Sequence, residues 1–167
     1  GLMIAFLGYD VDIRTQGSGN IGMTNVKRTV GTKAAILTLI GDVGKGWMMV
    51  SFSPEKDITS LMWVSMAVLL GHCYSIFLQG KGGKGVATAL GVMLSLSGSI
   101  ALLCLGTWFG IKLAFKKSSL ASLVSMVVLF PAILFLDSAH WLTASFIVVL
   151  VFWRHKDNIV RLQQGGE

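Results

Sequence analysis

Charge is scarce in this chain. Of its 167 residues only 13% are Asp, Glu, Lys or Arg, against about 25% in an ordinary soluble domain. A water-exposed globule of that composition cannot cover itself with polar surface, which excludes a soluble enzyme. Cysteine is limited to Cys73 and Cys104, so there is no disulfide framework and no C-x-x-C pair for metal or redox work. Proline occurs only as Pro54 and Pro131, and no low-complexity segment or fixed-period repeat is present. No G-x-S-x-G is found, so a serine hydrolase elbow is unsupported. No histidine is followed five residues later by aspartate; those places hold Phe77, Ser145 and Val160.

What is abundant points to lipid. Hydrophobic residues make up 53% of the chain and the mean hydropathy is +0.72. Glycine reaches 20 residues, as in membrane helices that approach one another through small side chains. Six apolar stretches can be read, at 34–52, 58–78, 85–96, 98–115, 119–136 and 139–153. A helix needs about 20 residues to cross ~30 Å of hydrocarbon, so 85–96 is short, and one long bent helix over 86–115 is the alternative. The fold class expected is an all-α integral membrane protein, forming one domain over residues 1–167. Residues 1–8 span only ~12 Å as a helix and read as the inner end of a first span. Six full spans plus that truncated one give a seven-span bundle for the complete protein.

Net charge is +6, and its distribution argues for topology rather than for nucleic acid as a partner. If 85–96 and 98–115 both cross, Arg14, Lys27, Arg28, Lys33, Lys81, Lys84, Lys112, Lys116, Lys117, Arg154, Lys156 and Arg161 share one side. That leaves Lys56 opposite and Lys45 within a span, twelve of the 14 basic residues on one face. Merging the two spans would move the last six outside. The positive-inside rule therefore favours two crossings and makes the basic side cytoplasmic.

Three polar clusters fall on that side. The first, Gly17-Ser18-Gly19-Asn20-Ile-Gly22-Met-Thr-Asn25-Val-Lys27-Arg28, contains a formal G-x-G-x-x-G without the strand that a dinucleotide fold requires. Its backbone N–H groups, Ser18, Asn20 and Asn25 suit an oxyanion, with Arg28 as a bidentate clamp. The second, Gly80-Lys81-Gly82-Gly83-Lys84-Gly85, opens an apolar helix and suits phosphate, since glycine admits close backbone approach and a helix start offers N–H groups. No Ser or Thr follows its Gly-Lys, so it is not a Walker A loop. The third is 153–167. If it continues the last helix, Arg154, Asn158 and Arg161 share a face, and His155 is a candidate proton carrier. Within the spans, Asp42 and Lys45 can pair sideways, and His72 reads as an interhelical hydrogen-bonding group rather than a metal ligand. No cofactor or metal is expected.

These residues resemble the bacterial acyl-phosphate-dependent glycerol-3-phosphate acyltransferases. The likeness rests on Gly17–Arg28, on His72–Gly91 with its Gly-Lys-Gly-Gly-Lys-Gly-Val-Ala-Thr run, on Arg154–Glu167, and on Asp42-x-x-Lys45-Gly46. It implies transfer of a fatty acyl group from acyl phosphate to the 1-hydroxyl of glycerol 3-phosphate, giving 1-acylglycerol 3-phosphate (lysophosphatidic acid) and phosphate, the committed step of bacterial phospholipid synthesis. By motif match, Ser18 and Arg28 hold phosphate, the 80–85 loop with Lys81 and Lys84 seats the glycerol phosphate, and His155 and Asn158 stand near the reacting centre. Glu167 is structural. A monomer in the bacterial inner membrane, multi-pass, with its active site facing the cytoplasm, follows from the same likeness. An organic-phosphate transporter is the alternative from another class.

Overall fold

The computed structural model describes residues 1–165. Every regular element among them is helical: α1 (Leu2–Tyr9), α2 (Met23–Thr29), α3 (Thr32–Ser51), α4 (Ile58–Cys73), α5 (Val86–Leu96), α6 (Gly98–Phe115), α7 (Ser118–Leu136), α8 (Trp141–Arg154) and α9 (Lys156–Gln163). Short 3-10 turns at Ile76–Leu78 and Ser138–His140 extend the end of α4 and the start of α8. The segments Ile58–Leu78, Gly98–Phe115 and Ser118–Leu136 are long and apolar enough to cross a membrane. α3 matches them in length but carries Asp42 and Lys45, and α5 and α8 are shorter.

The packing is that of a protein solvated by lipid. Leu69, Val92, Ile100, Leu129, Ile133, Ile147 and Val151 meet in one core joining α4 to α8. Large apolar side chains also point outward, with Phe135 at 87% and Leu113 at 77% exposure. Helices apolar on all faces have no water-facing stripe, and lipid is the solvent that stabilises them. Their hydroxyls are satisfied internally: Thr38 donates to the Ala34 carbonyl, Ser65 to Leu61 and Ser125 to Ala121. Such back-bonding spares these hydroxyls from being bare in hydrocarbon; the Thr88 hydroxyl, fully buried, is without a partner. Pro131 lies inside α7, which continues through it.

The chain breaks between α5 and α6 at Ser97, where the backbone leaves helical geometry (φ −151°, ψ 89°), and the two helices pack against each other. The long bent helix over 86–115 is therefore not formed. α3 and α5 make the tightest crossing. A Cβ on Gly46 would strike the Thr88 carbonyl, and one on Gly91 would strike the Val43 carbonyl and the Trp47 nitrogen. A smaller apolar cluster of Ala5, Ile13, Val26, Ala34 and Ala35 ties α1, the 10–22 loop and α2 to the start of α3.

α4 begins with a defined cap. The Asp57 carboxylate accepts from the Thr59 and Ser60 backbone N–H groups at 3.0 Å each. Hydrogen bonding from Ser60 holds this carboxyl below its ordinary range. A depressed carboxyl stabilises the fold above the ordinary carboxylate range and loses that contribution as pH falls through its lowered value. Asp57→Ala is thus expected to lower the thermal midpoint at neutral pH, with the gap from wild type closing as the solution is acidified. Unfolding followed in detergent across that pH range checks it.

Candidate active site

The first cluster is organised around a side chain rather than around open backbone. Gly17 (φ 59°) and Gly19 (φ 67°) take left-handed turns, and a Cβ on Gly17 would collide with Asn25 Oδ1. Asn25 is 3% exposed. Its Nδ2 donates to the Ile13 and Gln16 carbonyls at 3.1 Å each, and its Oδ1 accepts from the Ser18 N–H at 2.9 Å. Asn25 therefore fastens the loop onto α2. Asn20 Oδ1 accepts from the Gly22 N–H at 2.9 Å, which turns the chain into α2. These bonds bring Ser18, Asn20, Gly22 and, one turn further along α2, Arg28 to the wall of a cavity. Arg14 of the same loop is occupied by Asp12, at 2.7 Å from Nη2 to Oδ2. Hydrogen bonding from Arg14 holds the Asp12 carboxyl at about 2.

The glycine–lysine loop is held by its neighbours. The Gly82 N–H donates to the Cys73 carbonyl and the Gly83 N–H to the His72 carbonyl, at 3.1 Å each. Two of the loop's N–H groups thus satisfy carbonyls left open at the end of α4. On the other side, Arg154 donates through Nε to the Gly83 carbonyl at 3.2 Å and through Nη2 to the Gly82 carbonyl at 3.0 Å. The guanidinium also lies over the Tyr74 ring, 5.0 Å from its centroid. What the loop presents to the cavity is its end: Lys84, Gly85 and the first residues of α5, Val86 and Ala87. Gly85 (φ 86°) caps α5 in a conformation that suits glycine. An amino end of a helix carries unpaired N–H groups and partial positive charge, which favours an anion.

The tail does not continue α8 as one helix. The turn changes at His155 (φ −101°, ψ 6°) and α9 starts at Lys156, so Arg154 is separated from Asn158 and Arg161. Arg154 serves the glycine loop, whereas His155, Asn158 and Arg161 line the cavity. His155 is 3% exposed, and its Nδ1 lies 2.8 Å from the Val151 carbonyl. A carbonyl only accepts, so Nδ1 carries a proton and, in the neutral ring, Nε2 carries the lone pair. Asn158 joins two helices to the site: its Oδ1 accepts from Lys84 Nζ, and its Nδ2 donates to Ser119 Oγ at 2.5 Å.

All three clusters therefore border one cavity of about 380 Å³. Its polar lining includes Ser18, Arg28, Lys84, His155, Asn158 and Arg161, and its apolar lining includes Leu90, Met93, Leu105, Trp108, Met126 and Leu129. Asp42 and His72 also reach it, with Lys45 Nζ 2.5 Å from both Asp42 Oδ1 and His72 Nδ1. Lys81 faces elsewhere, into a separate cleft with Arg14, Gly19 and Phe77. Gly17, Gly80, Gly82 and Gly83 shape the backbone without lining the cavity. Glu167 lies outside the described residues. Sequence reasoning missed the α7 serines: Ser118, Ser119, Ser122 and Ser125 all line the cavity, and Ser122 accepts from Trp108 Nε1 at 3.1 Å. Their helical spacing along an otherwise apolar stretch was the available signal. Among the described residues no group of three or more His, Cys, Asp or Glu is placed to hold a metal ion.

Residues 1–165 match the family model described as glycerol-3-phosphate acyltransferase. A glycerol-3-phosphate acyltransferase of Neisseria meningitidis serogroup C (strain 053442) is 42% identical, with 97% of this chain and 84% of the relative covered. One from Paraburkholderia phytofirmans is 43% identical, with 99% and 81% covered. The fold is similar to the crystal structure of PlsY (YgiH), an integral membrane glycerol 3-phosphate acyltransferase, in its glycerol 3-phosphate form. The TM-score is 0.90 at 38% identity, covering 99% of this chain and 84% of that one. The lysophosphatidic acid form matches with a TM-score of 0.87.

Proposed function

The chain belongs to the glycerol-3-phosphate acyltransferase family, and from that premise we propose how its cavity acylates glycerol 3-phosphate with an acyl phosphate as donor. The observation that carries the reading is the shared cavity, lined by cations and hydroxyls and by a broad set of apolar side chains. An acyl phosphate has both characters, and glycerol 3-phosphate has the first. The glycerol phosphate sits on Lys84 and the amino end of α5, and the donor's phosphate sits on Ser18 and Arg28. The acyl chain lies along α5, α6 and α7 against Leu90, Leu105 and Met126. The 1-hydroxyl oxygen attacks the acyl carbonyl carbon, the bond from that carbon to the phosphate oxygen breaks, and phosphate departs; the hydroxyl proton leaves with the products. Because the donor is already activated, orientation and charge stabilisation carry most of the barrier reduction. His155 and Asn158 hold the reacting groups between the two anion seats.

The enzyme is embedded in the membrane, and we assign it to the bacterial inner membrane as a single-domain monomer. α3 to α8 cross in alternation, and the basic end with the cavity faces the cytoplasm, as the charge distribution supports. Family membership does not favour the transporter reading. Purified protein given acyl phosphate and glycerol 3-phosphate is expected to release inorganic phosphate, and replacing the donor by acyl-CoA is expected to stop turnover. Equal rates with the two donors would exclude the donor assignment.

A further inference from the structure

Asp42 poses an electrostatic problem. A carboxylate at the wall of an anion cavity repels a phosphate, and in a membrane helix it is costly unless paired. Lys45, one turn along α3, neutralises it through the 2.5 Å contact. The same ammonium reaches across to α4 and meets His72 Nδ1 at 2.5 Å. An ammonium only donates, so His72 Nδ1 accepts and the ring holds its proton on Nε2. The side chain of His72 is 6% exposed and that of Asp42 12%, while that of Lys45 is 37% exposed, so this is a partly buried, oriented network in which the ammonium is held between two sheltered partners.

His72 is where the network touches the glycine–lysine loop. Its carbonyl accepts the Gly83 N–H, and any Cβ on Gly83 would collide with its Nε2. The ring is thus the wall against which Gly83 rests, with Gly82 against the His72 and Cys73 carbonyls, while Arg154 grips the carbonyls of both glycines. Lys84 follows directly, then the start of α5. A small rotation of the ring would displace both groups that seat the phosphate.

We propose that Asp42, Lys45 and His72 are positioning residues: the ion pair on α3 fixes the His72 ring, and the ring fixes the glycine–lysine loop so that Lys84 and the amino end of α5 meet the phosphate of glycerol 3-phosphate. The inference rests on the site reading above, and its test uses binding alone, so the identity of the acyl donor does not enter.

Glycerol 3-phosphate affinity is measured by calorimetry on the full chain in detergent for wild type, His72→Ala, His72→Asn, Lys84→Met and the double variant His72→Ala/Lys84→Met. His72→Ala is expected to weaken binding about tenfold, and His72→Asn, whose Oδ1 can accept from Lys45, to recover to within about threefold of wild type. In the Lys84→Met background, His72→Ala is expected to add less than about twofold, because it acts through Lys84. If His72→Ala does not yield folded protein, Lys45→Met takes its place in the cycle. Unchanged affinity in the single variant, or the same factor in both backgrounds, would overturn the proposal. Unchanged affinity in Lys84→Met would instead overturn the site reading itself.

Discussion

Lys84→Met is expected to lower kcat/KM about a thousandfold, whereas Lys81→Met stays within about threefold of wild type, although both lysines belong to one six-residue run. The difference comes from where the loop sends them. Lys84 lines the cavity and donates to Asn158 Oδ1; Lys81 is exposed in the cleft beside Arg14. Removing the Lys84 ammonium takes away a cation from the proposed phosphate seat. It also leaves the Asn158 carbonyl oxygen without its donor, an acceptor now facing an anion. Arginine does not restore the arrangement, since a planar guanidinium cannot replace a compact ammonium between Asn158 and a phosphate. Phosphate release measured over a range of both substrates separates the outcomes, and equal losses at the two lysines would refute the assignment of Lys84 to the seat.

The convergence of the three clusters was legible because charge obeys topology. Only two crossings at 85–96 and 98–115 keep the basic residues on one side, and the break at Ser97 is the feature that permits them. The division of labour within each cluster was not legible. Asn25 and Ser18 both read as oxyanion donors, yet the Asn25 amide is consumed by the Ile13 and Gln16 carbonyls. Gly82 and Gly83 read as phosphate-binding backbone, yet their N–H groups close the end of α4. A glycine-rich stretch reports that something approaches the backbone closely, without saying whether that is a ligand or the protein's own helix end.

Other parts were hidden for different reasons. Serine within an apolar stretch is as consistent with small-residue packing as with a lined cavity, so the helical spacing of the α7 serines was an ambiguous signal. Arg154 and Asn158 share a face only on a continuous helix, and the change of turn at His155 moves them to different tasks. That change also turns His155 and Asn158 toward the cavity while leaving Arg154 beside the loop. The interhelical bond of His72 was foreseen in kind, but its link through Lys45 to Asp42 depends on a helix crossing that spacing alone does not specify.

The crossing of α3 with α5 supplies the largest expected effect on stability. Gly91→Leu should destabilise the protein by more than about 3 kcal/mol, beyond the usual range for overpacking, because the obstacle is backbone rather than a movable side chain. A Cβ at position 91 meets the Val43 carbonyl and the Trp47 nitrogen of α3, and reciprocally a Cβ at Gly46 meets the Thr88 carbonyl of α5. Neither helix can yield locally, so the helices must separate. The contrast is α6, where a Cβ on Gly106 or Gly110 finds open space; Gly106→Ala should be neutral or stabilise by about 0.5–1 kcal/mol through helix propensity. Separation would reach the chemistry as well. Val43 lines the cavity beside Asp42, and α5 begins at the loop end proposed to seat a phosphate, so moving α5 outward would pull that end and the adjoining Lys84 from Asn158 and His155 together. Gly91→Ala, with the same clash and less bulk, should therefore lose activity more steeply than it loses thermal midpoint. Thermal unfolding and phosphate release measured on the same detergent preparations test this, and a Gly91→Leu protein as stable and active as Gly106→Ala would show that the α3–α5 contact does not set the site.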